Sequence, residues 1–589
     1  MTDFSTHLAH QVALPLLLCV FACTEPGTAV KPPATNASTF AFDEVSVIAG
    51  LDIPLTCGAT PGVKSTILEV NGNGIALVDL DNDGDLDIVL VDGNTRAGLI
   101  DGTVVPHHVL INQGVSAGVP RFEELFGSGL AMSGWPTGVT TGDIDGDGRV
   151  DLVIGGLAQD ALFFNRAGAD GGLTFEQQPL PGRDSPRDWT TSLALADADG
   201  DGLLDLYLAR YLYIDPLHPP LNRIADLPCV FAGMNVMCGP HGMPPQADVF
   251  LRGLPGPPWF DVATAAAGLA DRPPSFGLGV LFADLDQDGH PDLYIANDSV
   301  DNFVLRNRGD GSFEALGSLS GASSDMAGRA QAGMGVNTGD IDEDGDFDLV
   351  VTNFSNEANA LYRNDGDWLF REVSTPSGSA MLSKPLLGWG VHLADFDGDG
   401  HLDEFFANGH VYPEADQASG ELGYAQPLML LPGRGDGTFG ANGFPDDTPL
   451  VSRAAARGDL DGDGDLDLVV LTLDGSPRLF LNRHDSPQSY LLVSLRDLPP
   501  HAPDAIGATV TLTTHSGQQV RQKLSARGFQ TSDDPRLHFS GGASIVSATV
   551  LWPGGVRETL NVSTLGFGQH VLIERGRGVV SQGPLSSSR

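Results

Sequence analysis

A nine-residue phrase with aspartate at positions 1, 3, 5 and 9 and glycine at position 6 occurs seven times in this 589-residue chain. The copies are "DLDNDGDLD" from Asp79, "DIDGDGRVD" from Asp143, "DADGDGLLD" from Asp197, "DLDQDGHPD" from Asp284, "DIDEDGDFD" from Asp340, "DFDGDGHLD" from Asp395 and "DLDGDGDLD" from Asp459. On a strand this alternation would line one face with like charges, and strands are poor in aspartate. The phrase is therefore a loop, and its clustered carboxylates call for a cation. Aspartates at 1, 3 and 5 with glycine at 6 also begin an EF-hand loop, which ends in a bidentate glutamate at position 12. Here position 12 is Leu90, Ile154, Leu208, Ile295, Val351, Phe406 and Val470, all apolar, so an EF-hand is excluded.

The fourth carboxylate is then the aspartate at position 9, with a backbone carbonyl near position 7 completing the wrap. The expected metal ligands are Asp79, Asp81, Asp83 and Asp87; Asp143, Asp145, Asp147 and Asp151; Asp197, Asp199, Asp201 and Asp205; Asp284, Asp286, Asp288 and Asp292; Asp340, Asp342, Asp344 and Asp348; Asp395, Asp397, Asp399 and Asp403; and Asp459, Asp461, Asp463 and Asp467. An all-oxygen set suits Ca²⁺, up to seven ions, in a structural role, because no motif leaves an open position beside a general base.

The flanks are β-rich. Runs such as "IVLV", "LVIG", "LYLA" and "LVVL" follow the motif and read as buried strands B, with strand A before the loop. A third strand ends near Asn ("HVLINQG", "ALFFNRA", "FVLRNRG", "ALYRNDG", "RLFLNRH"), and a fourth opens with Phe ("FEEL", "FEQQ", "FEAL", "FREV"). Four strands per unit, repeated at this length, make a propeller blade. The long third unit carries its surplus, with Cys229 and Cys238, between strands B and C, and the sixth has "NGHVYPEADQASGELGYAQ" there. The seventh unit lacks a fourth strand, and "FAFDEVSVIAGL" (40–51) is expected to supply it. The expected fold is all-β: a seven-bladed β-propeller over 40–485 with calcium-binding A–B loops, plus a small C-terminal β-rich domain.

The repeat resembles the FG-GAP/VCBS (integrin-alpha-type) family over roughly 42–485, whose blades carry this calcium loop between strands A and B. Residues 486–575 hold no aspartate motif but read as strands, and "AIGATVTL", "ARGFQTSDDPRLHFSGG" and "VLWPGG" resemble the ASPIC/UnbV domain of the cartilage-acidic-protein-like family. The chain departs from that family at "HFSGGA", where a Phe-Gly-Leu-Gly run is usual. The tail, 576–589, reads as disordered.

Val12 to Phe21 is an apolar run of signal-peptide length, ending in "VFAC", which resembles a bacterial lipobox with Cys23 as the acylated residue. Residues 1–23 are read as this leader and 24–39 as a tether, so the chain is expected to be exported, either secreted or lipid-anchored at the cell surface. In that setting Cys229 and Cys238 form a disulfide and Cys57 is left over. A net charge of −44 argues against nucleic acid, and no segment is long enough for a transmembrane span.

No H-E-x-x-H, G-x-S-x-G or P-loop is present, and no catalytic residue is assigned. His290 and His401, at loop position 7, read as solvated. All calcium loops share one rim of an up-and-down propeller, so the B–C insertions crowd the other. Recognition is expected on that insertion face, with His241, His410 and Tyr412 as partner-binding candidates and an extracellular protein or glycan as partner. The alternative is a propeller lyase or hydrolase acting on a polysaccharide or secondary metabolite.

Overall fold

The computed structural model describes residues 40–585, apart from 59–61, 169–171, 216, 225–226, 419–422, 485–486, 500 and 543. The leader over 1–23, Cys23 and the tether over 24–39 lie outside the described residues. Seven sheets each carry one aspartate loop between their first two strands. The innermost strands are Ile75–Val78, Trp135–Gly142, Thr190–Ala196, Gly277–Ala283, Val336–Gly339, Gly388–Ala394 and Ser452–Gly458. Each contacts the next, and the last contacts the first, so the sheets close into a ring of seven blades.

The loop sets the register of every blade. Position 9 begins strand B, as at Asp87, Asp292 and Asp467, and it faces the last residue of strand A, as Val78 faces Asp87. Position 12 then falls within strand B, at its last residue in blades one and five, and all seven position-12 side chains are fully buried. Their apolar character, which excluded an EF-hand, is what the blade core requires.

Closure follows the expected clasp. Phe42–Glu44 pairs antiparallel with Arg478–Asn482, so the seventh blade is completed from the N-terminus and loses an open edge. Neighbouring blades are also stitched by the asparagine that ends strand C. Asn112, Asn165, Asn307, Asn364 and Asn482 each donate Nδ2–H to a main-chain carbonyl of the preceding blade's loop, at Leu460, Leu80, Ala198, Leu285 and Phe396. Blades three and six place Gly253 and Gly433 there and lack this bond.

The C-terminal domain packs two four-stranded sheets around an apolar core that includes Leu491, Trp552 and Ile573. One expectation is corrected: Gly578–Pro584 is not a disordered tail but an edge strand paired with Gln569–Glu574. Backbone pairing holds this largely exposed strand, with Val579 packed on the domain's core; its glycine, serine, glutamine and proline content is why its composition read as disorder.

The domain does not stand apart from the propeller; the two form one compact unit. Its "SARGFQTSDDPR" segment enters the central channel. Thr531 and Ser532 pair in parallel with Ile75 and Ala76 of blade one. Ser525 Oγ donates to Leu195 O in blade three, and Gly528 exchanges both backbone bonds with Val336 in blade five. Asp533 faces His392 Nδ1 of blade six at 3.2 Å and accepts the Arg457 N–H of blade seven. At the far end Phe529, fully buried, packs against Trp389 with ring centroids 4.9 Å apart.

This plug predicts one cooperative calorimetric transition for propeller and C-terminal domain together. Phe529→Ala should lower the stability by about 3–5 kcal/mol without splitting that transition; two resolved transitions in the unsubstituted protein would show that the docking is loose.

Candidate functional sites: a carboxylate rim and a channel-mouth cavity

Each loop folds around its own carboxylates. The position-6 glycine has φ between 85° and 102° in all seven copies, where a side chain would be strained. Its N–H donates to the position-1 carboxylate in six loops, for example Gly84 to Asp79 at 3.0 Å and Gly400 to Asp395 at 2.7 Å. The position-5 carboxylate accepts the N–H of position 7, as Asp288 does from His290. The position-9 carboxylate accepts two: from position 2 of its own loop and from the end of strand C, all at 2.8–3.0 Å.

These bonds leave oxygens over. Carboxylate oxygens of positions 1, 3 and 9 lie within 4.8 Å of one another in the loops of blades one to four, and positions 1, 3 and 5 do so in blade five. Asp197 Oδ1, Asp286 Oδ1, Asp340 Oδ1 and Asp459 Oδ2 are buried with no hydrogen-bond partner. Burial, with the charge of neighbouring carboxylates added, pushes Asp143 up to about 7 and Asp151 and Asp205 up to about 8. Converging, orphaned oxygens of this kind fit a divalent cation.

A regularity that sequence reading missed accompanies the loops. In five blades an arginine beside the end of strand C reaches the position-3 carboxylate through Oδ2: Arg166 to Asp145 at 2.6 Å, Arg252 to Asp199 at 2.9 Å, Arg306 to Asp286 at 3.2 Å, Arg363 to Asp342 at 3.8 Å and Arg483 to Asp461 at 3.5 Å. At Asp286 and Asp342 the other oxygen, Oδ1, is buried without a partner, so the arginine fixes which oxygen faces the cluster. The "NR" and "RN" pairs at the ends of strands C carried this signal.

The rim is also where the C-terminal domain docks. Asp504 accepts the Asp143 N–H, Gln522 the Asp284 N–H, and Arg536 donates to Asp459 O. Ser540 donates to Asp395. The "HFSGGA" departure thus places Ser540 on a position-1 aspartate.

The insertion face carries a cavity of about 370 Å³ at the channel mouth. A hairpin tied by the Cys229–Cys238 disulfide stands over it, with Phe231 at its turn. Phe231 packs on Phe354 and Tyr412, with centroids 6.1 and 5.2 Å away, and Trp389 lies beneath. Both long B–C insertions therefore meet here. Three polar lining residues escaped the sequence reading. Asp298 accepts the Tyr211 hydroxyl at 2.6 Å and the Ser299 hydroxyl at 2.8 Å; Glu357 accepts the Ala332 N–H at 2.9 Å; Asn71 is buried and its Nδ2 has no partner. Asp298 and Glu357 lie in B–C connections, so the face was legible but not the residues.

Of the partner-binding candidates, His241 and Tyr412 line this cavity. His410 does not: it is 2% exposed, packed against Phe231 and Phe354, and shapes the wall from behind. Its Nδ1 accepts the Tyr412 N–H at 3.0 Å, so the ring serves the insertion's own turn. Nor are His290 and His401 solvated. His290 is half-buried with its ring against Gly309, and His401 Nδ1 pairs with Glu343 of the preceding blade. Cys57 is free and buried, and burial pushes its thiol up to about 11. Among the described residues no helix is long and apolar enough to cross a membrane.

Comparison with known proteins gives matching families for both parts. The FG-GAP-like repeat model matches residues 79–154, 143–208, 284–351 and 340–406, and the ASPIC and UnbV model matches residues 499–579. Cartilage acidic protein 1 of Xenopus tropicalis is 27% identical over 512 residues, covering 83% of this chain and 71% of that protein. The Homo sapiens protein of that name is 28% identical over 520 residues, covering 83% and 70%. Among solved structures, an Agrocybe aegerita lectin that recognises non-reducing terminal N-acetylglucosamine is 16% identical, covering 67% of this chain and 88% of its own, with a TM-score of 0.32. Rhamnogalacturonan lyase YesW is 14% identical, covering 72% and 76%, with a TM-score of 0.31. Likenesses this distant carry no functional argument.

Burial, with the nearby Arg453 charge added, pushes His410 down to about 4. Its imidazole signals should therefore stay those of the neutral ring down to about pH 5 in an NMR titration, below the ordinary histidine range near 6.5. A His410 midpoint near 6.5 would place the ring in solvent and return it to the list of contact residues.

Proposed function

We propose that this chain, which belongs to the FG-GAP-repeat proteins with a C-terminal ASPIC and UnbV domain in the cartilage-acidic-protein-like family, is an exported, calcium-stabilised binding module. Its partner, an extracellular protein or glycan, engages the insertion face. The observation that carries this reading is the cavity where both B–C insertions meet under a disulfide-tied hairpin, opposite the rim that the C-terminal domain covers.

Calcium is the cation that best suits the rim. The donors are all hard oxygens from one short loop, as in extracellular sites with Kd of about 10⁻⁴–10⁻³ M. Such affinities need millimolar calcium, which fits export, as does the disulfide. When bound, the ions neutralise clustered carboxylates and lock each A–B turn. Asp286 and its counterparts supply one inward oxygen each, and Arg306 and its counterparts hold the outward one. Cys23 would carry the lipid anchor if the leader is processed as a lipoprotein's.

Among the described residues, Asp298 and Glu357 are the carboxylates that the cavity offers the enzyme alternative. Both are already engaged as acceptors by groups of the protein itself, which favours binding over acid–base chemistry.

Chelation with EDTA should lower the melting temperature markedly, since each site contributes about 1.4 kcal/mol at a tenfold excess of calcium over its Kd; unchanged melting would sink the calcium claim. Arg306→Gln should weaken the fourth-blade site by about tenfold, read as a lower melting temperature at sub-saturating calcium with the metal-free melting unchanged. Partners identified on glycan and extracellular-protein arrays should be lost by Tyr412→Ala and by the Cys229→Ser, Cys238→Ser pair. Full retention by both variants would move the partner to another face.

A further inference from the structure

The lining of the channel-mouth cavity restricts what can occupy it. Its walls are aromatic and sulfur-bearing: Phe231, Phe354, Tyr412 and Trp389, with Met237 and Met334. Two carboxylates reach it, Asp298 and Glu357, and no lysine or arginine lines it among the described residues. Arg453 is buried beside this lining, over the Trp389 ring at 4.3 Å. That guanidinium donates to the carbonyls of Val70, Gly409, Ser452 and His410, so it is held by the protein itself and offers an anion nothing.

An anionic ligand would therefore face two carboxylates with no lysine or arginine of the lining to offset them, which is costly in a recess of low dielectric. A free sugar would bring many hydroxyls to a wall with few polar groups. An organic cation meets complementary features on every side: carboxylates for its charge, ring faces for cation–π contact and thioethers for its body. Asn71 adds a third point. The residue lines the cavity, and its buried Nδ2–H has no acceptor in the protein, a further polar group in a largely apolar wall. The volume, about 370 Å³, lies within the range of small-molecule sites, roughly 300–1,000 Å³.

We infer that the channel-mouth cavity binds an amine: a positively charged nitrogen on an apolar, aromatic-sized body, held between Asp298, Glu357 and the Phe231–Tyr412 wall. It is either a small molecule or the side chain of a partner protein presented from above. This inference rests on the insertion face being the binding face and specifies the chemistry taken there.

The test uses three probes of one shape on the full calcium-loaded chain at pH 7.5: 4-phenylbutylamine, 4-phenylbutanol and 4-phenylbutyrate, followed by saturation-transfer NMR and titration. The amine should bind at least tenfold tighter than the alcohol, and the carboxylate should bind weakest. Glu357→Gln should cut the amine's affinity by about tenfold, 1.4 kcal/mol, and leave the alcohol's unchanged, while Tyr412→Phe keeps the wall and retains both. Equal binding of all three, or preference for the carboxylate, with loss on Tyr412→Ala, would overturn the amine and keep the face. Absence of saturable binding by any probe would overturn the cavity as a small-ligand site, and partner retention by the Tyr412→Ala variant would separately overturn the face.

Discussion

One carboxylate in each blade, the aspartate at position 9, holds together elements that are far apart in sequence. It starts strand B, accepts the N–H of its own loop's second residue, and accepts a second N–H from the end of strand C. It also lies with the position-1 and position-3 oxygens in the first four loops. Turn, strand register, third strand and cation site therefore share one side chain. Because the asparagine that donates to it also reaches the preceding blade in five cases, the same node passes order around the ring. Loss of charge balance at one loop would be felt in two blades, which is the physical sense in which a cation held there would be structural.

The second constraint is the plug. A propeller leaves an axial channel lined by seven inner strands, and these strands have backbone groups with nothing beside them. The "SARGFQTSDDPR" segment satisfies several of them and brings charge with it. Asp533 and Asp534 are fully buried, yet the His392, Arg457 and Arg536 charges beside them hold both carboxyls below the usual range against that burial. Buried ion pairs of this type gain little net stability over apolar packing, but leaving one partner behind is expensive. The arrangement therefore fixes where the C-terminal domain sits more than it adds to stability.

Much of this was legible in the sequence because the repeat is local. Seven aspartate phrases, apolar position 12 and strand-length flanks are short-range patterns, so blade count, loop placement, the N-terminal clasp and the Cys229–Cys238 pair could be read directly. What was not legible depends on contacts across hundreds of residues. Nothing in "QTSDDPR" says that Thr531 will pair with Ile75, and nothing in "NGHVYP" says that His410 will turn inward while Tyr412 lines a cavity. The strand at 578–584 was missed for another reason: it is rich in glycine and small or turn-forming residues and its stability comes from a partner strand, so composition misled.

The two faces of the ring end with different freedoms. On the rim, the C-terminal domain engages the loops of blades two, four, six and seven through Asp504, Gln522, Ser540 and Arg536. A partner there would compete with an intramolecular contact of high effective concentration. The plug also seals the channel from that side and delivers Phe529 into the apolar cluster that contains Trp389, the floor of the cavity on the other face. The C-terminal domain thus blocks one face and builds the floor of the other. The acidic motif that dominates the sequence and the channel-mouth cavity are mechanically joined through this segment, while their chemistry stays separate: clustered carboxylates that fit a divalent cation on one side, aromatic rings with two carboxylates on the other.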